Sequence, residues 1–494
     1  MILATSLLLA SCQTTVPSKM NAVTALLVPE QVRTEEMLVK EGGFLPAQVG
    51  YLVLEGDSRK TIIQANPDGG FIPASVTKLP TMLAALHILG SSFRFKTSLA
   101  YRGKISGGIL NGDLYLKGTG DPLLTMSDLM SLVEALRQRH IKQIQGAFYF
   151  DDSTFPRQEK INDFLQDDAV YNTGISALSS EFNRLVMRWS PDPLSKTLRA
   201  YSIPDFSWLT MTMNSSSDAK SSKMAFTKTG ETESWSLSSN LDKEGFQALP
   251  IKDGGRFTAS LVARLCHQEG ITLATPLRGE LPKDAKLIAQ HESLPLSELV
   301  GKNWEYSNNL MAELVMLTAA SKVARRRVST VSQAADRIKA WLVKEIPEIS
   351  WSGFEIENGS GLSPKGRISP RQIVGILQWG ERQHYDGKSL ISLLPISGWK
   401  GSLENHLDSP VTGLKVWAKT GTLDFARALS GYFFSNSNKR YLFTIFVTDF
   451  EKRKRRDLLP HMPDNGEDSD EASDWLKHAK QLEADLLTKW IQQM

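Results

Sequence analysis

Cysteine is nearly absent: Cys12 and Cys266 are the only two in 494 residues, and one cysteine in each region leaves no disulfide framework to organise the fold. Long apolar runs are missing as well. Beyond the first dozen residues no segment reaches the length needed to span a bilayer. Neither sign of charge is in excess, since 57 basic residues face 54 acidic ones for a net charge of +3, and no nucleic-acid partner is expected. The one dense basic run, Lys452-Arg453-Lys454-Arg455-Arg456, is followed by an acidic stretch from Glu467 to Asp474 and reads as a solvated loop. Eight histidines occur without H-x-H or H-E-x-x-H spacing, so no metal site is expected. Gly118-Thr119-Gly120 lacks the remaining glycines and the Lys-Ser or Lys-Thr of a phosphate loop, and reads as a turn. What is left is an ordinary globular composition, 41% hydrophobic and 22% charged, on a chain too long for one core. Two or three domains are the expectation.

At the N-terminus, Leu7-Leu8-Leu9-Ala10-Ser11-Cys12 joins a short apolar run to a small residue before cysteine. This resembles a bacterial lipobox. The resemblance implies lipidation of Cys12 and a membrane tether in place of a spanning helix, and so an extracytoplasmic, periplasmic location. No Lys or Arg precedes Lys19, which departs from the basic start of such signals; a cleaved secretory signal is the alternative.

Gln48 to Leu54 alternates apolar and polar residues, Gly56-Asp57-Ser58 turns the chain, and Thr61 to Gln64 returns as a second strand. Leu79, Met82, Leu83 and Leu86 then fall at helical spacing up to Gly90, a suitable C-terminal cap. From about residue 96 to 290 the texture changes to short strands, turns and helices, which reads as an insert of one or more mixed α/β domains. Helical spacing returns at Tyr306 to Leu317 and Ala334 to Leu342, and Trp417 to Thr420, Leu429 to Phe434 and Tyr441 to Val447 read as consecutive strands. An amphipathic helix from Trp475 to Ile491 closes the chain. The division expected is 1–30 as signal and linker, 31–95 with 291–494 as the principal domain, and 96–290 as the insert.

Three short motifs carry chemistry. Ser75-Val76-Thr77-Lys78 puts a hydroxyl and an amine one helical turn apart, close enough for the amine to take the proton as the hydroxyl attacks a carbonyl. Alone this is weak, because Ser217-Asp218-Ala219-Lys220 and Ser397-Gly398-Trp399-Lys400 match too. Ser75 differs in following Pro73-Ala74 and opening an apolar helix, whose N-terminus favours developing negative charge. Pro80 shortly afterwards removes a helix donor and leaves the exact start of that helix open. Ser307-Asn308-Asn309 and Lys419-Thr420-Gly421 complete the set. Their decoys, Ser238-Ser239-Asn240 and Lys228-Thr229-Gly230, lie in a Ser-rich stretch and occur in the reverse order. The ordered set S-x-x-K, S-x-N, K-T-G is the signature of penicillin-binding proteins and serine β-lactamases.

Further segments in order, Gly112-Asp113-Leu114-Tyr115-Leu116, Gly118-Thr119-Gly120-Asp121-Pro122, Asp151-Asp152-Ser153, Ser176-Ala177-Leu178-Ser179, Asn358-Gly359-Ser360-Gly361-Leu362-Ser363 and Ala428-Leu429-Ser430-Gly431-Tyr432, extend the likeness over nearly the whole chain. The sequence resembles the class C low-molecular-mass penicillin-binding proteins, the D-alanyl-D-alanine carboxypeptidase/endopeptidase group of peptidase family S13. The resemblance implies an α/β (α+β) fold, an antiparallel sheet flanked by helices with extra domains inserted between Lys78 and Ser307. It implies that Ser75 is the acylating nucleophile, Lys78 its base, Ser307 a proton relay and Asn309 a contact to the substrate peptide. Lys419 and Thr420 would hold the terminal carboxylate, Gly421 lies between them and Thr422, and the N–H groups of Ser75 and Thr422 would form the oxyanion hole. Asp151 matches an acidic position that contacts the diamino acid of the stem; a turn or capping aspartate is the other reading. Peptidoglycan stem peptides are the implied substrate and β-lactams the implied covalent inhibitors, with no cofactor. Two alternatives stay open: a β-lactamase, for which no deacylating carboxylate can be assigned, and an inactive peptidoglycan-binding protein on the same fold. Trp304, Tyr306 and Trp417 flank the site as either lining or core. Pro364 and Leu423-Asp424-Phe425 depart from the family's pattern.

Overall fold

A computed structural model describes residues 33–458 and 467–494, apart from 164, 196, 215–223 and 239–243. Its principal sheet has five antiparallel strands in the order Val416–Leu423, Ala426–Phe434, Arg440–Thr448, Val49–Glu55, Thr61–Ala65. The early hairpin therefore pairs with strands from the far end of the chain: Val49 sits opposite Val447 and Glu55 opposite Tyr441. The expected alternation in the first strand gives way to a strand buried on both sides. Leu52 and Leu54 face one core with the Lys78–Leu89, Asn309–Ala324, Val331–Glu345 and Pro370–Gly380 helices, while Val49, Tyr51 and Val53 face another with the terminal helices Glu35–Glu41 and Glu467–Gln493. Both faces being covered removes the need for polar residues on either.

The Lys78–Leu89 helix is apolar nearly all round and correspondingly enclosed, ending at Gly90 with φ 94°. The C-terminal helix buries Trp475, Leu482, Leu486 and Trp490 on one stripe, as their spacing predicts. The basic run is a helix, Phe450–Leu458, where a loop was expected. Ion pairs Lys452 to Glu471 and Arg456 to Asp424 tie its charges to neighbours, and none of its residues is buried.

Strands between residues 96 and 292 build three further sheets. The largest contains Lys96–Ser106, Ile109–Gly118, Phe148–Asp151, Leu277–Arg278 and Lys286–Glu292, and Met126–Gln138 and Gly254–Gln268 are the helices beside it. A core from Leu99 to Ile288 serves these elements. Cys266 lies in it, and burial pushes its thiol up to about 12, which leaves it unreactive. Cys12 and the Ser217 decoy lie outside the described residues. No described helix is long and apolar enough to cross a membrane.

Candidate active site

Ser75 lies in a 3₁₀ turn, Ala74–Thr77, that leads directly into the helix beginning at Lys78. The helix thus starts later than Ser75, and Pro80 is its third residue, where a backbone N–H has no intrahelical partner to lose. Ala74 has φ 45°, a left-handed kink that presents Ser75, and Gly361 packs so closely that a Cβ there would stand 1.8 Å from Ala74 O. Gly421 closes the other side: a Cβ would stand 2.4 Å from Pro73 O and 3.0 Å from Ser75 N. The glycine of Lys419-Thr420-Gly421 is there because strand backbone lies against turn backbone.

Lys78 is fully buried. Its Nζ lies 2.8 Å from Ser75 Oγ and donates to Asn309 Oδ1 at 2.8 Å and to the Ser360 carbonyl at 2.7 Å. Burial takes this amine down to about 7, against the opposing pull of Glu313. Lys419 is also held well below the ordinary lysine range, by burial first and then by Lys78 and Arg427. Lys419 Nζ donates to the Thr420 carbonyl at 2.6 Å.

Ser307 and Asn309 do not share one helix. Ser307 caps the Leu296–Tyr306 helix in the left-handed region, φ 55°, and Asn308 is the N-cap of the next, its side chain accepting from Met311 N. The break puts the half-buried Ser307 at a corner and Asn309 on the first turn facing Lys78. Asn309 Nδ2 donates at 3.2 Å to the Tyr171 carbonyl, in a segment whose neighbours Ile161 and Ile175 pack into the same core as the Lys78–Leu89 helix. That segment also reaches the opposite wall, where Asn162 Nδ2 donates to Leu362 O at 2.6 Å.

Thr420 is buried and Thr422 exposed. Ala418 N donates to Pro395 O on the sheet's outer edge, and strand alternation carries the same outward direction to the N–H groups of Thr420 and Thr422. Trp304 is core, its Nε1 donating to Lys78 O at 3.1 Å, whereas Tyr306 is 69% exposed beside Ser307. Asp151 ends its strand with both oxygens occupied: Lys117 Nζ at 2.6 Å and Leu281 N at 2.8 Å on one, Ser153 N at 3.0 Å and Ser153 Oγ at 2.6 Å on the other. The last three donors and Lys117 outweigh the burial that would otherwise raise it, and the carboxyl sits below its usual range. None of these bonds involves the Ser75 cluster. Among the decoys, Ser397 Oγ donates to Thr412 O, Lys400 pairs with Glu305 and Lys228 with Glu159.

Two carboxylates went unnoticed in the sequence. Glu313, fully buried one turn after Asn309, accepts from Gly359 N at 2.8 Å and Ser360 N at 2.9 Å, and so holds the loop whose carbonyl binds Lys78. A charged residue four places after Asn309 inside the apolar Leu310–Leu317 run was the available signal. Glu483 of the C-terminal helix pairs with Arg427 under the Lys419 strand, and no sequence spacing connects those two.

Comparison with known proteins agrees with this architecture. The profile of the D-Ala-D-Ala carboxypeptidase 3 (S13) family matches residues 33–464. The D-alanyl-D-alanine carboxypeptidase DacB of Haemophilus influenzae is 24% identical over 428 residues, 83% of this chain and 88% of that one. A D-alanyl-D-alanine carboxypeptidase of Actinomadura sp. is 25% identical over 400 residues, 74% and 71% of the two chains. In fold, the crystal structure of penicillin-binding protein 4 from H. influenzae superposes with a TM-score of 0.76 at 22% identity, covering 93% of this chain and 99% of that one. With the profile spanning most of its length, the chain belongs to the D-Ala-D-Ala carboxypeptidase 3 (S13) family.

Proposed function

We propose that this protein cleaves the terminal D-alanyl-D-alanine bond of peptidoglycan stem peptides, or the cross-links made from them, through an acyl-enzyme on Ser75. The observation that carries the reading is the hydrogen bonding of Lys78. Asn309 Oδ1 and Ser360 O can only accept, so each takes one N–H of the amine. A neutral amine has two N–H bonds and one lone pair, and the lone pair is left facing Ser75 Oγ 2.8 Å away. Burial supplies the neutral form near pH 7.

Attack by Ser75 Oγ on the penultimate D-alanine carbonyl transfers the hydroxyl proton to Lys78 and places negative charge on the carbonyl oxygen. Ser75 N–H and Thr422 N–H are the donors for that oxygen. Ser307, at the helix corner, relays the proton from Lys78 to the departing D-alanine nitrogen, and the C–N bond breaks. Asn309 contacts the substrate peptide, while Lys419 and Thr420 hold the α-carboxylate of the leaving residue. The extended peptide lies along the outer edge of the Lys419 strand, past Ala418. Water then releases the acyl group. β-Lactams acylate the same serine. Cys12 anchors the protein outside the cytoplasm, where its substrate is.

The test is fluorescent penicillin labelling with hydrolysis of a D-alanyl-D-alanine peptide. Wild type takes a long-lived label and releases D-alanine; Ser75→Ala does neither while keeping its circular dichroism. Full labelling of Ser75→Ala would reassign the nucleophile. Rapid loss of label from wild type would indicate a β-lactamase, and no label an inactive scaffold.

A further inference from the structure

Thr422 and Arg427 are directly opposite in the register of their two strands. Arg427 Nη1 donates to Thr422 Oγ1 at 2.8 Å. A guanidinium carries donors only, so the direction of this bond admits no choice: the threonine oxygen accepts, and its own proton points elsewhere. Thr422 is exposed, on the outermost strand of the sheet, which borders Ser75.

The guanidinium itself is immobilised. Arg427 Nε donates to both oxygens of Glu483, at 2.9 and 3.0 Å, and Nη2 donates to one of them at 2.9 Å. The side chains are 4% and 0% exposed. His406 Nε2 lies 2.9 Å from the same carboxylate. Glu483 lies against the Arg427 charge; what Arg427 adds at Thr422 is direction.

We propose that Arg427, anchored by Glu483 of the C-terminal helix, is a positioning residue that turns the Thr422 hydroxyl outward as a donor to the α-carboxylate of the departing D-alanine, and so contributes to selection of substrates ending in a free acid. The proposal rests on the acyl-enzyme reading above. Lys419 and Thr420 are the other groups assigned to that carboxylate. Thr422 supplies a proton at a defined angle, which a freely rotating hydroxyl would present only part of the time.

The test compares an N-acyl D-alanyl-D-alanine peptide with its C-terminal amide, a neutral analogue of nearly the same size, using the full chain. Arg427→Lys keeps a cation for Glu483 but lacks the planar fork that reaches both partners. Expected are a KM for the acid raised about tenfold, the order of one charge-assisted hydrogen bond, with kcat within about twofold and the amide unaffected. Thr422→Val should lower the acid-to-amide ratio of kcat/KM by a similar factor, Thr422→Ser should keep it, and Thr422→Val with Arg427→Lys should lose no more than either alone. Equal losses on acid and amide in Arg427→Lys, or losses that add with Thr422→Val, would make Arg427 a structural residue and overturn the proposal. If Arg427→Lys fails to fold, the Thr422 pair decides: equal ratios in Ser and Val overturn it. Wild type that takes no penicillin label sinks the acyl-enzyme reading instead, a result distinct from any of these.

Discussion

Lys78 illustrates how burial alone converts an ordinary side chain into a base. Its amine must be neutral to accept the Ser75 proton, and with its pKa at about 7 the neutral fraction grows as pH rises through that value. Penicillin acylation should therefore increase from pH 6 to 8 and level off above; rates that fall or stay flat over this interval would assign the base elsewhere. Glu313 opposes this in its ionised form, since a carboxylate nearby favours the charged amine, while burial holds its own carboxyl above the usual range. Glu313→Gln should shift the acid limb of the profile to lower pH. It should also cost about 1–3 kcal/mol of stability, because an amide cannot accept from Gly359 N and Ser360 N with both of its polar atoms. Chemical denaturation and the pH profile read the two effects separately. Asp151 is a contrasting case. With four internal donors on its carboxylate, Asp151→Asn should reduce stem-peptide turnover and penicillin acylation equally; a selective loss on peptides bearing a diamino acid would assign it to substrate.

Among elements, the contact between the Ser75 turn and the Lys419 strand is a tight constraint. Both partners are backbone, so neither can rotate away from an added methyl group. Gly421→Ala should push the strand from Pro73 O and Ser75 N, separating the two proposed oxyanion donors, and labelling should fall by roughly 10²- to 10³-fold with far-ultraviolet circular dichroism unchanged. Near-normal labelling would mean that the turn moves with the strand. The helix pair around Ser307 explains a miss at this scale. A continuous apolar pattern from Tyr306 to Leu317 predicts one helix, but Asn308 caps the second and Ser307 takes a left-handed conformation between them. Apolar spacing reports which residues are buried, and two helices meeting at a corner can bury the same positions as one. The basic helix Phe450–Leu458 was missed for the opposite reason: with nothing buried, it has no apolar stripe to detect.

For the molecule as a whole, the segment around residues 162 to 171 is joined to the site, since Asn309 Nδ2 bonds Tyr171 O and Asn162 Nδ2 bonds Leu362 O. Residues far from the three motifs thereby steady Asn309 and the loop that carries Ser360. The N-terminal cysteine is remote from this arrangement in sequence. Cys12→Ser should release the protein from membranes into the soluble fraction with its labelling rate unchanged; protein that stays membrane-bound after the substitution would remove the lipid tether from consideration.

The linear sequence determined the chemistry on offer: a serine and a lysine one turn apart, an S-x-N and a K-T-G in order, and apolar spacing that located the strands of the principal sheet and its covering helices. These are local properties, and local spacing along a helix or strand fixes which side chains share a face. Only the tertiary structure decided what those groups experience. The pKa of Lys78 depends on burial among groups more than 200 residues away, Asn309 and Ser360 among them, and the bond from Arg427 to Glu483 joins a strand to a helix whose separation along the chain carries no signal. Desolvation and long-range hydrogen bonds are properties of the packed molecule, so they appear only when it is assembled.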